Sequence, residues 1–61
     1  MNTVNVEGRR VKETDSAVLW ETPEGVEVWL PLSQVEAFTV NPKGEGTMKC
    51  STWIAKMKGL A

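Results

Sequence analysis

The chain has 61 residues, one cysteine, no histidine and a formal net charge of −1, which limits it to one small domain (residues 1–61) burying only about 60% of its unfolded surface. One thiol excludes an internal disulfide and, with no histidine beside it, a zinc set, so neither common staple of small domains is at hand and no metal or cofactor is expected. No apolar run approaches the about 20 residues of a membrane helix, and the N-terminus lacks a secretory leader pattern. These features lead to the expectation of a protein free in a reducing cytoplasm, with no membrane partner.

The first segment, TVNVEGRRVKET, alternates Val4 with Val6 and then loses phase at Gly8, because Val11 has the opposite parity. A glycine that interrupts a strand pattern marks a bulge or a bend, so one long strand kinked near Gly8 is predicted. Thr14, Asp15 and Ser16 supply turn chemistry, and AVLWET then begins a second strand at Ala17.

Thr22-Pro23-Glu24-Gly25 reads as a three-residue hairpin loop, with proline at the first corner of a type I turn and glycine in the left-handed position that closes it. The register then pairs Thr22 with Val26, Glu21 with Glu27, Trp20 with Val28, Leu19 with Trp29 and Val18 with Leu30. One face carries Val18, Trp20, Val26, Val28 and Leu30 and is predicted to be core. The other pairs Glu21 with Glu27, two carboxylates that repel unless water screens them, and beyond them Leu19 with Trp29.

Pro31 lacks a ladder donor and must end the strand or lie on a free edge. Leu32-Ser33-Gln34 is predicted as a short 3₁₀ turn, VEAFTV as a fourth strand with Phe38 and Val40 on one side, residues 41–46 as a loop, and TMKC as a fifth strand. The tail switches to helical spacing through Trp53, Ile54 and Met57. Ser51 or Thr52 can cap its start, Lys56 and Lys58 suit its negative end, and Gly59 is placed for a left-handed stop over which Leu60 folds back onto Ile54. A helix over about residues 52–58 is too short to stand alone, and its expected seat is the outer hairpin face, with Leu19 and Trp29 against Trp53, Ile54 or Met57. The fold expected is mainly β, a small five-stranded SH3-like or OB-like barrel with a short C-terminal α-helix.

Charge is unevenly spread. Glu13, Asp15, Glu21, Glu24, Glu27 and Glu36 occupy a segment with no lysine or arginine, while Arg9, Arg10 and Lys12 precede it and Lys43, Lys49, Lys56 and Lys58 follow. An acid-only hairpin is a poor surface for phosphates and a fair one for a basic partner.

Three stretches, ETDSAVLW, VWLPLSQV and TWIAKMKGL, resemble a family of small, mostly uncharacterised proteins of bacteriophages and mobile elements. That family's pattern runs from an ETDKA-type strand through an acidic hairpin and a W-hydrophobe-P-K-S-Q turn to a W-hydrophobe-A-E-K-K-G-L tail. The resemblance implies a phage-type origin, action in the cytoplasm of a bacterial host and a shared small β fold, and it brings no catalytic residues. Ser16 and Leu32 stand where the pattern has lysines, and Lys56-Met57 where it has Glu-Lys.

No catalytic constellation is visible: there is no histidine, no base beside Cys50 in sequence, and no acylation or phosphate-loop motif. The expectation is a non-enzymatic module that binds protein, with Glu21, Glu24, Glu27, Leu19 and Trp29 meeting a host or antiviral-defence protein and inhibiting it. The alternative is a small nucleic-acid-binding barrel that uses Arg9, Arg10 and Lys12 with exposed aromatics. A homodimer through Leu19 and Trp29 is compatible with both.

Overall fold

A computed structural model describes residues 2–60. Its elements are β1 (Thr3–Glu13), β2 (Ala17–Glu21), β3 (Glu27–Pro31), a 3₁₀ turn (Leu32–Gln34), β4 (Val35–Val40), β5 (Glu45–Ser51) and α1 (Thr52–Met57). The strands form one antiparallel sheet in the order β3-β2-β1-β5-β4. This is a meander, not the Greek key of an OB-fold, and β3 and β4 stay as free edges, so the sheet is a half-open counterpart of the SH3-like alternative and not a closed barrel.

The two edges are nevertheless tied at one end. Only Leu32–Gln34 separate Pro31 from Val35, and three residues of 3₁₀ helix rise about 6 Å. The sheet must therefore curl until its edges almost meet there.

Curling is permitted by β1, whose first half pairs with β5 (Thr3↔Ser51 through Arg9↔Glu45) and whose second half pairs with β2 (Arg9↔Glu21 through Glu13↔Val18). The strand changes partners at Arg9, which pairs with both, directly after Gly8, where the predicted kink lies. Gly8 has φ +155, a conformation nearly closed to other residues, and a Cβ there would lie 2.2 Å from the Glu21 carbonyl oxygen and 2.6 Å from Nε1 of Trp20. The indole N–H of Trp20 donates to the Glu7 carbonyl at 3.3 Å. The glycine thus makes room for the largest fully buried side chain in the protein. A bulge between Arg10 and Lys12 adds further twist to the strand.

The hairpin forms in the predicted register, pair by pair, because Thr22 N–H bonds the Val26 carbonyl (2.8 Å) and Gly25 N–H bonds the Thr22 carbonyl (2.9 Å). Val18, Trp20 and Leu30 are wholly buried and join Val6, Met48, Cys50, Ile54 and Ala55 in a single core. Val26 departs from expectation: it is 55% exposed. It belongs to the last pair before the loop, where the hairpin has run past the concave side of the sheet. In β4 the alternation also slips, since a bulge between Val35 and Ala37 lets Val35 pack on the core alongside Phe38 and Val40.

The helix departs from expectation in its seat. It does not cover the outer hairpin face; it lies on the concave side, where Ile54 and Ala55 enter the core, and Trp53 (59% exposed) and Met57 (63%) face away. Both predicted stops are present. Ser51 Oγ accepts from Ile54 N–H at 3.2 Å as N-cap. At the other end Leu60 N–H reaches the Ala55 carbonyl (2.7 Å) and Gly59 N–H the Lys56 carbonyl (3.2 Å), the paired bonds of a Schellman stop. Leu60 is thereby returned to the core.

Candidate interaction face

Alternation along the hairpin sorts its side chains. With Val18, Trp20 and Leu30 inside, Ala17, Leu19, Glu21, Glu27, Trp29 and Pro31 point to the convex side. The expected residues Leu19, Glu21, Glu27 and Trp29 therefore share one surface, and Glu24 stands exposed in the loop at its end. Trp29 is 44% exposed, lies opposite the half-buried Leu19, and is uncovered by the helix.

The Glu21 and Glu27 carboxylates are neighbours across the ladder, as expected, and a residue from β1 relieves them. Arg9 pairs with Glu21 in the sheet; its Nη2 and Nε donate to Glu21 Oε1 at 2.9 and 3.0 Å. On its other side Arg9 stands opposite Glu45 of β5. A row Glu27-Glu21-Arg9-Glu45 thus crosses four strands with three acids and one base. The Arg9 and Glu21 side chains are 45% and 29% exposed, so water screens the bond and its contribution to stability is under about 1 kcal/mol. Its effect is to hold the acids in place and leave the row negative. An open hollow of about 550 Å³ lies along it, between Glu7, Glu21, Pro23 and Glu45.

The basic run does not form one patch. Because of the bulge between Arg10 and Lys12, Arg9 and Lys12 both fall on the convex side while Arg10 turns inward. The Arg10 guanidinium sits 5.2 Å from the centroid of the Phe38 ring, itself 6.0 Å from Trp20, and Nη1 lies 3.8 Å from Glu13. Arg10 caps the open end of the core through a cation–π contact. Lys12 pairs with Leu19 in the ladder, which puts a cation at the apolar end of the hairpin face, away from the acidic loop.

Two features escaped the sequence reading. Gln34, in the 3₁₀ turn, accepts from Ser51 Oγ at 2.8 Å, so one hydroxyl ties the junction of the edge strands to the start of α1. Trp53 and Met57, one helical turn apart, form a second exposed apolar pair; their spacing was visible, but not the side of the helix that the core would take. Among the described residues no three His, Cys, Asp or Glu side chains are grouped to hold a metal, and no helix is long and apolar enough to cross a membrane. Cys50 is fully buried, and burial pushes its thiol pKa up. Comparison with protein families, with curated proteins and with solved structures finds no match to this chain.

Proposed function

We propose that this chain is a non-enzymatic, phage-type module that binds a basic protein surface of a bacterial host or its antiviral defences, and blocks it. One observation carries the reading: the convex hairpin face joins an exposed tryptophan, Trp29 beside Leu19, to a row of carboxylates that Arg9 organises without neutralising. Tryptophan anchors interfaces by burying a large, stiff surface. The acids add steering and reject nucleic acid, whose phosphates carry the same sign.

The test is affinity capture by the purified chain from a host lysate, with the captured protein identified and then titrated as a pure component. The reading expects a protein with a basic contact surface, bound more weakly as salt rises, and lost with Glu24→Lys plus Glu27→Lys or with Trp29→Ser. Binding of single-stranded DNA or RNA at about 150 mM salt that vanishes with Arg9→Glu plus Lys12→Glu would replace it with the nucleic-acid reading.

A further inference from the structure

The hydrogen-bond parity of the hairpin decides which backbone groups of β3 are left over. Thr22 N–H bonds the Val26 carbonyl and Leu32 N–H bonds the Ser16 carbonyl. In an antiparallel ladder bonded pairs alternate, so Val28 and Leu30 turn their amides and carbonyls toward β2. Glu27 and Trp29 turn theirs to the free edge. Pro31 has no N–H to offer, and its carbonyl, as that of the N-cap, takes the first bond of the 3₁₀ turn that follows. Since β3 pairs only with β2, the amides and carbonyls of Glu27 and Trp29 have no backbone partner among the described residues.

We propose that the β3 edges of two copies of this chain pair antiparallel about a twofold axis at Trp29, joining the two sheets into one. In that register the two Trp29 residues exchange N–H and carbonyl, and each Glu27 lies opposite Pro31 of the second copy, whose carbonyl has only the lone pair not used by its own 3₁₀ turn for the Glu27 N–H. The missing proline donor falls at the outer end of the ladder, where its loss is least felt. Charge favours this arrangement. Lys58 borders the same hollow as Trp29, Pro31 and Ser33, so Glu27 of one copy comes to rest beside Lys58 of the other. Asp15 shares that rim but lies in the turn before β2, one strand further from the edge. Parallel pairing would instead stack Glu27 on Glu27, which repels. The other edge, β4, is broken by the bulge between Val35 and Ala37, which spoils a template for pairing. The occupant is therefore a second copy at β3.

The consequence for recognition rests on the function proposed above. Pairing sets the two Trp29 side chains about 5 Å apart at Cβ on the convex side. Leu19, Trp29, Trp29 and Leu19 then form one apolar strip with an acidic hairpin loop at either end.

The experiment is sedimentation velocity of the full chain from about 10 µM to about 1 mM, a range set by the weakness of interfaces that bury less than about 1,200 Å². The apparent mass should rise from 6.8 kDa toward twice that value, with the Trp29 amide gaining protection from hydrogen exchange at the upper end. Trp29→Pro removes an edge donor and no internal ladder bond, and should abolish association while the circular dichroism is kept. Lys58→Glu should weaken association several-fold, and Glu27→Lys added to it should restore it; this charge exchange decides the matter if the proline variant does not fold. A monomer throughout the range overturns the proposal. So does association that survives Trp29→Pro and the charge reversal but is lost with Trp53→Ser plus Met57→Ser. No target enters these assays, so their failure and the failure of the functional reading are separate results.

Discussion

Replacing Gly8 with alanine is expected to be among the most damaging small substitutions in this protein. The backbone conformation, φ +155, costs a residue with a side chain of order 1–3 kcal/mol. The added carbon would stand 2.2 Å from the Glu21 carbonyl oxygen and 2.6 Å from Trp20 Nε1. Moving the indole sacrifices its bond to Glu7, about 1 kcal/mol, and repacks a side chain with no exposed surface, about 1–3 kcal/mol more. These contributions overlap, and together they come to roughly 3–5 kcal/mol. A domain of 61 residues holds only about 3–9 kcal/mol in all. Gly8→Ala should therefore be largely unfolded at 37 °C. Gly25→Ala is the control: it shares the positive φ (+85) but has nothing within 4 Å of the new carbon, so only the backbone cost applies, about 1–2 kcal/mol. At about 4–8 °C of Tm per kcal/mol, thermal melts followed by circular dichroism and tryptophan fluorescence should separate the two variants by roughly 10–20 °C at the middle of these ranges. If Gly8→Ala melts no lower than Gly25→Ala, the close approach of Trp20 is not what the glycine serves, and the account of the bend fails.

Ser51→Ala removes the helix cap and the donor to Gln34 together, and urea denaturation should show a loss of about 1–3 kcal/mol; an unchanged midpoint would mean that the junction holds without this hydroxyl. Arg9→Gln should cost less than about 1 kcal/mol at moderate salt, yet expose the mutual repulsion of Glu21, Glu27 and Glu45, so that its stability rises more steeply between about 20 and 500 mM NaCl than that of the wild type. Parallel salt curves would refute the row of charges. Cys50 should react with a thiol reagent only at the rate of unfolding. Its pKa is raised in the folded state, so above the ordinary thiol value of 9.0 the unfolded chain gives up this proton first. The contribution of Cys50 is therefore complete below that value and is lost as pH climbs toward the folded pKa. Comparing Cys50→Ala with wild type between about pH 8 and 11 isolates it, and a difference between them that does not change with pH would contradict the assignment.

The hairpin could be read from sequence because its register is a local matter. Thr22-Pro23-Glu24-Gly25 permits essentially one loop geometry, and each pair beyond it follows by counting; the partnership of Leu19 with Trp29 was legible for that reason. Burial is not local in this sense, and Val26 is the instance: its parity is that of the core, but the sheet curls away before reaching it. The tail shows the same limit. Helical spacing and both stops were legible, whereas the buried side was decided by the packing of α1 on the rest of the core, which takes in Ile54 and Ala55 and leaves Trp53 outside. Least legible was the pairing of Arg9 with Glu21. It depends on β1 changing neighbours just past Gly8 and slipping register before Lys12, and neither event is encoded within the hairpin that it stabilises.

The position of β5 in the sheet has a consequence for how the chain acquires its shape. It is the last strand in sequence, yet it is the only partner of β4 and one of the two partners of β1, and Thr52 N–H bonds the carbonyl of Asn2 at 3.1 Å. Until Glu45–Ser51 emerge from the ribosome, the β2–β3 hairpin and its contact with the second half of β1 are all that can form. The apolar sides of β4 and of the first half of β1 wait uncovered. Folding therefore hinges on one late, long-range closure, the kind of step that is slow for a chain of this size and exposes it to aggregation meanwhile. A nascent chain stalled before Gly46 should remain sensitive to protease, and one extended past Leu60 should become resistant in a single transition.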